Sequence, residues 1–258
     1  MNNIFDLTGK VAVVTGASSG LGYDAAYAYA EYGADVVLLA RRYERLVTLK
    51  EKIESETGRR ALAIKCDVMV EEEVKAAVEQ AVAEFGKIDI LLNNAGTNIL
   101  GDVISLKTEA WNTVVNTNLR GPFLMCKYVV PHMKERGYGK IVNIASVNAI
   151  MADKDDWIQR PVYNATKAGV VGLTKALSTH LAKYGITANA IGPGLFPTEM
   201  TYDLLEVKPY MDNFIAKNPS GRIANPGDLN GAVIYLSSDA SSYCQGQFIV
   251  VDGGDQLV

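Results

Sequence analysis

The segment VYNATKAG, from Val162 to Gly169, places a tyrosine four residues before a lysine. On a helix, side chains at this spacing share one face, so Tyr163 and Lys167 would lie within reach of each other. A nearby ammonium favours the phenolate form of a tyrosine and lowers its pKa. The spacing therefore suggests a tuned acid and base, although the same pair also occurs on ordinary amphipathic helices.

A glycine-rich turn, TGASSGLG, follows the apolar run VAVVT near the start of the chain. Gly16 permits a tight turn, Gly20 lets the backbone approach a pyrophosphate, and Gly22 allows the next helix to pack against the sheet. The N–H groups at the start of that helix would face the phosphates. A lone glycine pattern also fits a plain turn, but its place between a strand and a helix favours dinucleotide binding.

The end of the second predicted strand indicates which dinucleotide is preferred. NAD-binding proteins carry an acidic residue about twenty residues after the glycines, where it accepts hydrogen bonds from the ribose hydroxyls. This chain reads LLARR, with Ala40 in that place and Arg41 and Arg42 directly after it. A guanidinium suits a 2′-phosphate, so NADP(H) is favoured and NAD(H) is the alternative. An arginine pair at a helix start can also be merely solvated.

The elements that must position these residues alternate along the chain. Strands are predicted at VAVVT, ADVVLLA, ALAIKCDV, IDILLNNAG, KIVNIAS, ITANAIGPG and QFIVVDGG. Helices are predicted at YDAAYAYAEYG, RRYERLVTLKEKIESETG, EEEVKAAVEQAVAEFG and TKAGVVGLTKALSTHLAKYG. Uninterrupted apolar strands that alternate with helices are typical of a parallel sheet covered on both faces. The sequence, which has no evident linker or repeat, predicts a single doubly wound α/β domain over residues 1–258.

Composition excludes several classes of function. The 258 residues are 48% hydrophobic, which is enough for a large core. A net charge of -4 and a pI near 5.3 argue against a nucleic-acid or anionic-membrane partner. Neither the two histidines nor the isolated Cys66, Cys126 and Cys244 have a metal-ligand or disulfide pattern, so we expect no metal. The N-terminal residues MNNIFDLTGK do not resemble a signal peptide, and no segment is apolar enough to span a bilayer, so we expect a cytoplasmic protein.

Taken in chain order, the motifs resemble those of the short-chain dehydrogenase/reductase family. They are TGASSGLG, CDV, NNAG, NLRG, NIAS, YNATK and IGPG, and together they extend over nearly the whole chain. The ordered set is far more specific than any one motif. Within the family, the chain is most similar to the gluconate 5-dehydrogenases and the 3-oxoacyl-carrier-protein reductases. The resemblance implies a Rossmann-type fold and a homotetramer to whose subunit contacts the C-terminal strand region contributes.

The resemblance also implies a catalytic tetrad of Asn118, Ser146, Tyr163 and Lys167. Tyr163 would exchange a proton with the substrate oxygen, and Lys167 would lower the pKa of Tyr163 and bind the nicotinamide ribose. Ser146 would hold the substrate oxygen, and Asn118 would order a water that connects Lys167 to solvent. Without the resemblance, Ser146 could be a strand-end cap and Asn118 an ordinary turn or helix residue.

Cofactor contacts implied by the resemblance run from the adenine to the nicotinamide. Asp67 and Val68 resemble the pair that contacts the adenine. Asn94 is more consistent with a structural role, since side-chain amides at strand ends often tie strands together. The full set of expected contacts is Thr15, Gly16, Ser18, Ser19, Gly20, Leu21, Gly22, Arg41, Arg42, Asp67, Val68, Asn93, Ala95, Gly96, Tyr163, Lys167, Pro193, Gly194 and Thr198.

Two segments depart from the common pattern of the family. The connection VNAIMADKDDWIQRPV is longer than in the family's reductases, and its candidate substrate contacts are Asn148, Asp155, Trp157 and Arg160. Arg160 could pair with a substrate carboxylate, and Asp155 or Asp156 could accept hydroxyl hydrogen bonds. The alternative is a solvated insertion or a subunit contact. The later segment TEMTYDLLEVKPYMDNFIAKNPSGR is predicted to form a mobile lid of one or two helices.

The residues and the resemblance together favour an NADP(H)-dependent enzyme. It would interconvert a secondary alcohol and a ketone on a small sugar acid or polyol, such as gluconate and 5-ketogluconate. Reduction of a 3-oxoacyl thioester or of a ketosteroid is the alternative within enzymes, and an acidic acyl carrier would need a basic patch near the pocket. A non-catalytic dinucleotide-sensing protein is the alternative outside enzymes, because a fold does not decide a function. The intact tetrad argues against that alternative.

Overall fold

The computed structural model describes residues 3–154 and 157–258. These residues form a seven-stranded sheet in the order β3-β2-β1-β4-β5-β6-β7, in which every neighbouring pair is parallel. The strands are β1 (Val11–Thr15), β2 (Asp35–Ala40), β3 (Ala61–Lys65), β4 (Ile90–Asn93), β5 (Gly139–Ile144), β6 (Ile186–Pro193) and β7 (Phe248–Val251). The strand order reverses between β1 and β4, and doubly wound sheets bind their ligands at the carboxyl ends of the strands at such a point.

Helices cover both faces of the sheet. Within the described residues they are α1 (Gly20–Glu31), α2 (Tyr43–Thr57), α3 (Glu71–Phe85), α4 (Thr108–Val115), α5 (Gly121–Arg136), α6 (Pro161–Leu181), α7 (Tyr202–Leu205), α8 (Lys208–Lys217) and α9 (Asn230–Ser237). A π-helical turn, Asn116–Arg120, joins α4 to α5. In the described part of the chain, no helix combines the length and the apolar character needed to cross a membrane.

The core consists of two apolar layers, one on each face of the sheet. Along β1, Ala12 and Val14 pack with α1, α2 and α9, whereas Val11 and Val13 pack with α3 and α5. Successive residues of a strand point to opposite faces, so a strand covered on both sides must be apolar at every position. This explains the uninterrupted apolar runs and confirms the predicted Rossmann-type doubly wound parallel sheet.

All seven predicted strands are present, but most are shorter than predicted at their carboxyl ends. The CDV motif lies beyond β3, and NAG lies beyond β4, because these residues leave the sheet to form the edge of a cleft. The two lid helices are present as α7 and α8. The helix that carries the YNATK motif begins at Pro161, earlier than predicted, since proline in the first turn of a helix needs no N–H partner.

Candidate active site

The glycine-rich turn joins β1 to α1 at the carboxyl edge of the sheet. Gly16 has a φ of +69°, in the left-handed region that favours glycine. A Cβ atom at this position would lie 2.9 Å from the Ala95 Cα atom. A Cβ on Gly22 would overlap the carbonyl of Gly16, so this glycine lets α1 approach the turn closely. The turn therefore presents bare backbone toward the switch point of the sheet.

Thr15 and Asn93 tie the sheet together behind this turn. The Thr15 hydroxyl accepts hydrogen bonds from the backbone N–H groups of Asn94 (2.9 Å) and Ala95 (3.0 Å). The Asn93 Nδ2 atom donates to Asn143 Oδ1 at 2.8 Å. Among the described residues, Thr15 and Asn93 do not line the cleft, and direct cofactor contact by these two residues stays a prediction. Asn94, expected to be structural, donates its amide to the Thr15 carbonyl (3.0 Å).

A cleft of about 620 Å³ runs along the carboxyl edge of the sheet. Its volume is in the range of small-molecule sites. The expected cofactor residues that line it are Gly16, Ser18, Ser19, Gly20, Leu21, Arg41, Arg42, Asp67, Val68, Ala95, Gly96, Tyr163, Lys167, Pro193, Gly194 and Thr198. Residues that the sequence did not single out also line it, among them Thr97, Asn98 and Glu199. Their types carry no recognisable chemical signal, so only the fold reveals them.

One end of the cleft is a cluster of guanidinium groups. Arg42 reaches back over the glycine-rich turn and donates to the hydroxyls of Ser18 (3.1 Å) and Ser19 (2.7 Å). Arg42 also pairs with the Glu199 carboxylate at 2.7 Å, and Arg45 binds the other oxygen of that carboxylate. Hydrogen bonds from Arg45 and Arg42 lower the pKa of Glu199 to about 2. The carboxylate is therefore ionised, and it neutralises part of the positive charge at this end of the cleft.

The other end of the cleft holds Ser146, Tyr163 and Lys167, all of which are buried. Ser146 follows the end of β5, and α6 places Tyr163 and Lys167 one turn apart, as predicted. The Ser146 side chain lies close enough to Tyr163 to act on its pKa. The Lys167 Nζ atom donates to the Ile144 carbonyl at 2.8 Å and lies 5.6 Å from the centroid of the Tyr163 ring.

Burial and neighbouring groups shift the pKa values of Tyr163 and Lys167 at this end. Burial raises the pKa of Tyr163, whereas the hydrogen bond with Ser146 and the charge of Arg160 lower it and the charge of Asp153 raises it. Burial lowers the pKa of Lys167 to about 8. The Lys167 ammonium donates to the backbone in this structure, and its lowering of the Tyr163 pKa stays a prediction. The positive charge that lowers this pKa belongs to Arg160.

Asn118 lies in the π-helical turn between α4 and α5 and is 1% exposed. Its Oδ1 atom accepts from the Thr97 N–H (2.8 Å), and its Nδ2 atom donates to the Thr97 carbonyl (2.9 Å). A Cβ built on Gly96 would lie 3.5 Å from Asn118 Oδ1 and 3.7 Å from Lys167 Nζ. Asn118 therefore fixes the loop after β4 close to the Lys167 ammonium, and its role in ordering a water stays a prediction.

In the long connection between β5 and α6, the described candidate substrate contacts are bound to other residues of the chain. Arg160 makes a two-pronged ion pair with Asp153, in which both N–O distances are 2.7 Å. The Asn148 amide donates to the same carboxylate at 3.1 Å. In the described part of the chain, Asn148 and Arg160 lie behind the cleft wall. Asp153 occupies the Arg160 guanidinium in this structure, and the pairing of Arg160 with a substrate carboxylate stays a prediction.

Trp157, another expected substrate contact, packs against the lid. Its ring meets the Tyr210 ring edge to face, with centroids 5.7 Å apart and an interplanar angle of 82°. Tyr210 in turn stacks on Phe214 within α8. Trp157 therefore joins the long connection to the lid helix, and it is not part of the described cleft wall. Asp155 and Asp156 lie outside the described residues.

Comparisons with known proteins agree with this architecture. The sequence model of the family described as short chain dehydrogenase matches residues 10–209. The chain is 40% identical over 255 residues to 2-dehydro-3-deoxy-D-gluconate 5-dehydrogenase of Dickeya dadantii, covering 98% of this chain and 97% of that protein. It is 36% identical over 248 residues to a 3-oxoacyl-[acyl-carrier-protein] reductase of Thermotoga maritima, covering 96% and 98%.

The likeness extends to a solved structure. The crystal structure of a gluconate 5-dehydrogenase from Burkholderia cenocepacia, in complex with NADP and tartrate, matches with a TM-score of 0.94 and 36% identity. The match covers 99% of this chain and 98% of that one. These relatives align with the chain almost from end to end, in agreement with the ordered motifs. The chain therefore belongs to the short chain dehydrogenases and is an oxidoreductase.

Proposed function

We propose that this protein interconverts a secondary alcohol and a ketone of a small sugar acid with NADP(H). The observation that carries the proposal is one continuous cleft with different chemistry at its two ends. The buried hydroxyls of Ser146 and Tyr163 lie at one end, and the guanidinium groups of Arg41 and Arg42 lie at the other. This arrangement suits a long cofactor whose reactive ring must meet a proton donor.

The residues of the cleft fit a nicotinamide dinucleotide. Gly16 and its neighbours present backbone with no side chain in the way, which suits a pyrophosphate. Arg41 and Arg42 would bind the 2′-phosphate, and Asp67 and Val68 would contact the adenine. When bound, the nicotinamide supplies the hydride acceptor or donor of the reaction.

Tyr163 and Ser146 would handle the substrate oxygen. As a phenolate, Tyr163 accepts the proton of the alcohol during oxidation, and as a phenol it donates a proton to the oxygen during reduction. The Ser146 hydroxyl, which lines the cleft with Tyr163, would hold the same oxygen. Both side chains are buried, so competing water is excluded from the proton transfer.

Lys167 would serve the cofactor and the charge balance of the site. Its Nζ atom lines the cleft while donating to the Ile144 carbonyl at 2.8 Å, which leaves further protons of the ammonium for a ribose hydroxyl. With a pKa of about 8, the group is mostly protonated at neutral pH. A buried positive charge next to Tyr163 helps the site to tolerate a phenolate during the reaction.

The substrate class rests on the relatives and on the polar lining of the cleft. One relative is named for 2-dehydro-3-deoxy-D-gluconate, and a solved relative is named for gluconate and holds tartrate, a small hydroxy acid. Thr97 and Asn98 add polar groups to the cleft wall, and these suit hydroxyls better than an alkyl chain. The similarity to a 3-oxoacyl reductase keeps a thioester as the second candidate.

The deciding experiment compares substrates under one set of conditions. We expect kcat/KM with NADPH to be higher for a 5-keto sugar acid than for a 3-oxoacyl thioester or a ketosteroid by at least about tenfold. That margin is roughly 1.4 kcal/mol of transition-state binding. Measuring the same substrates with NADH tests the cofactor preference separately. A larger kcat/KM for either apolar ketone would overturn the sugar-acid assignment.

A further inference from the structure

An ion pair lies behind the catalytic end of the cleft, between the long connection and the start of α6. The Arg160 Nε and Nη2 atoms donate to the two carboxylate oxygens of Asp153, each at 2.7 Å. The two side chains are only 15% and 16% exposed. Because a guanidinium and a carboxylate held by two parallel hydrogen bonds are fixed in orientation, this pair is a rigid unit and not a loose surface contact.

One branch of hydrogen bonds leads from this unit to Ser146. The Asn148 Nδ2 atom donates to Asp153 Oδ2 at 3.1 Å. The Ser146 hydroxyl donates to Asn148 Oδ1 (3.3 Å), and the Asn148 backbone N–H donates back to Ser146 Oγ (3.1 Å). An ionised carboxylate can only accept hydrogen bonds, so Asp153 fixes the amide of Asn148 with its NH₂ group toward Asp153 and its oxygen toward Ser146. The orientation of the Ser146 hydroxyl therefore depends on Asp153.

The second branch is electrostatic and leads to Tyr163. The Arg160 Cζ atom lies 5.7 Å from the centroid of the Tyr163 ring, about as far as the Lys167 ammonium. Arg160 directly precedes α6, so its distance from Tyr163 is set by the first turn of the helix. Among the described residues, the charged and titratable groups that face this phenol or the ion pair are Arg160, Asp153, Lys167, Tyr210 and Asp255.

We infer that Asp153 and Arg160 are positioning residues for the proton transfer. Asp153 orients the Ser146 hydroxyl through Asn148, and the opposite charges of Asp153 and Arg160 together set the electrostatic potential at Tyr163. The inference rests on the proposed function, in which Tyr163 exchanges the proton. It gives the long connection a role in the chemistry through the residues that it holds.

The charges of Asp153 and Arg160 shift the pKa of Tyr163 in opposite directions. This difference distinguishes a positioning role from a merely structural one. Neutralising Asp153 leaves the charge of Arg160 unbalanced, favours the phenolate and lowers the pKa of Tyr163. Neutralising Arg160 leaves the charge of Asp153 unbalanced and raises that pKa. A pair that only stabilised the fold would lower stability in both variants without opposite shifts.

The test compares Asp153→Asn with Arg160→Gln. In the pH dependence of kcat/KM for alcohol oxidation, we expect the acid limb to move down by roughly 1 pH unit in Asp153→Asn and up by a similar amount in Arg160→Gln. We expect kcat to fall in both variants while the Kd for NADPH stays within about twofold, because neither residue lines the described cleft. Arg160→Lys keeps the charge but loses the two-pronged contact, so its pH profile should stay near that of the parent.

A second readout is independent of activity. In protein labelled with ¹³C at the tyrosine Cζ position, the signal lost in Tyr163→Phe identifies Tyr163. Its titration should shift in the same two directions in Asp153→Asn and Arg160→Gln. This measurement also decides the case if one of the variants is too inactive for kinetics.

Asp35→Asn is the matched control. It removes the acid from another pair with an arginine, in which Arg59 Nε (3.1 Å) and Nη2 (2.7 Å) both donate to Asp35 Oδ1. The Asp35 side chain lies at the amino end of β2 and is 15% exposed. We expect its pH profile to equal that of the parent. Shifts of Asp153→Asn and Arg160→Gln in the same direction, or no larger than in this control, would overturn the inference.

Tyr163→Phe distinguishes a failure of the proposed function from a failure of the positioning role of Asp153 and Arg160. We expect it to lose about 10²- to 10⁴-fold in kcat, the usual contribution of a placed proton donor, and to retain NADPH binding. Substantial turnover in Tyr163→Phe would refute the proposed function itself. An inactive Tyr163→Phe together with absent opposite shifts would refute only the role of Asp153 and Arg160.

Discussion

Lys167 links the chemistry of the site to the stability of the fold. Burial lowers its pKa to about 8 from an ordinary value of 10.5, so the folded state binds this proton less tightly than the unfolded state. Stability attributable to Lys167 therefore rises with pH between about 8 and 10.5. Below that window both states are protonated and the full cost of burying the charge is present. Above it both states are neutral and that cost is gone.

Lys167→Met, which has no titratable group, removes this dependence. Between about pH 7 and pH 10.5, we expect the free energy of unfolding of the parent to rise relative to Lys167→Met by about 3 kcal/mol. Urea unfolding of both proteins without cofactor, across this pH range, measures the difference. Losing the hydrogen bond to the Ile144 carbonyl adds a constant offset, so only the change with pH is diagnostic. A difference that is flat with pH would contradict the assignment.

We expect Arg41 and Arg42 to make separable contributions to cofactor binding. Both line the cleft, but Arg42 also holds the hydroxyls of Ser18 and Ser19 in the glycine-rich turn. We expect Arg41→Ala to weaken NADPH binding by at least about tenfold and to leave NADH binding nearly unchanged, since it loses a charge-assisted contact to phosphate. Arg42→Ala should weaken both cofactors, because the turn that receives the shared pyrophosphate loses its support. Fluorescence titration with each cofactor checks both outcomes.

Local spacing was enough to predict the chemical pair but not its surroundings. Tyr163 and Lys167 lie one turn apart on α6, and this depends only on helix periodicity. The partner of Arg160 depends on how the long connection folds back. Sequence analysis therefore treated its guanidinium as available to a substrate, whereas in the structure it pairs with Asp153. Likewise, Thr15 and Asn93 match the cofactor motifs by position, but their hydrogen bonds to neighbouring strands are set by the sheet.

At the scale of elements, strands were predicted well because burial on both faces demands unbroken apolar runs. The helices α4, α5 and α9 were not singled out in advance. Pro122 and Pro131 in α5 are typical helix breakers, yet Pro122 lies in the first turn, where the missing N–H costs nothing. Before it, the π-helical turn over Asn116–Arg120 interrupts the 3.6-residue period by which helices are recognised. The run NGAVIYLS of α9 is short and apolar, so its pattern alone does not separate a helix from a strand.

The lid segment meets the cofactor end of the cleft through Glu199. Its carboxylate binds Arg42 and Arg45, and a Cβ on Gly20 would lie 3.1 Å from the methyl group of neighbouring Thr198. The start of the lid segment therefore rests on the glycine-rich turn. A 2′-phosphate that binds Arg42 must share this guanidinium with a carboxylate of the same sign of charge.

Glu199→Gln removes that competing charge. We expect NADPH to bind about three- to tenfold more tightly, and NADH to change little, because only NADPH brings additional negative charge to this end. The gain should shrink as salt is raised, since these groups are partly exposed. Glu84→Gln, which removes the partner of Arg60 on another exposed ion pair, serves as the control and should leave both affinities unchanged. Equal effects of Glu199→Gln on the two cofactors would show that Glu199 acts on the lid and not on the phosphate.

At the scale of the whole molecule, the homotetramer and the cytoplasmic location stay predictions, and the surface offers a way to test the first. Large apolar side chains are exposed at many points of the surface, and two sets among them lie on different elements. Trp111 and Phe123 lie on α4 and α5, and Leu257 and Val258 lie at the C-terminus after β7. A tetramer with dihedral symmetry needs at least two different self-complementary interfaces, so two apolar regions are the minimum that such an assembly requires.

Changing one region at a time should therefore yield dimers. We expect light scattering to give four times the chain mass of 27.9 kDa for the parent protein. Phe123→Asp and Leu257→Asp should each reduce this to twice the chain mass, because a charge buried in a symmetric interface is placed there twice and destabilises it twice. Tyr32→Asp, on an exposed tyrosine at the end of α1 that belongs to neither set, should remain tetrameric. A monomeric parent would refute the homotetramer, and a tetrameric Leu257→Asp would show that the C-terminal region takes no part in assembly.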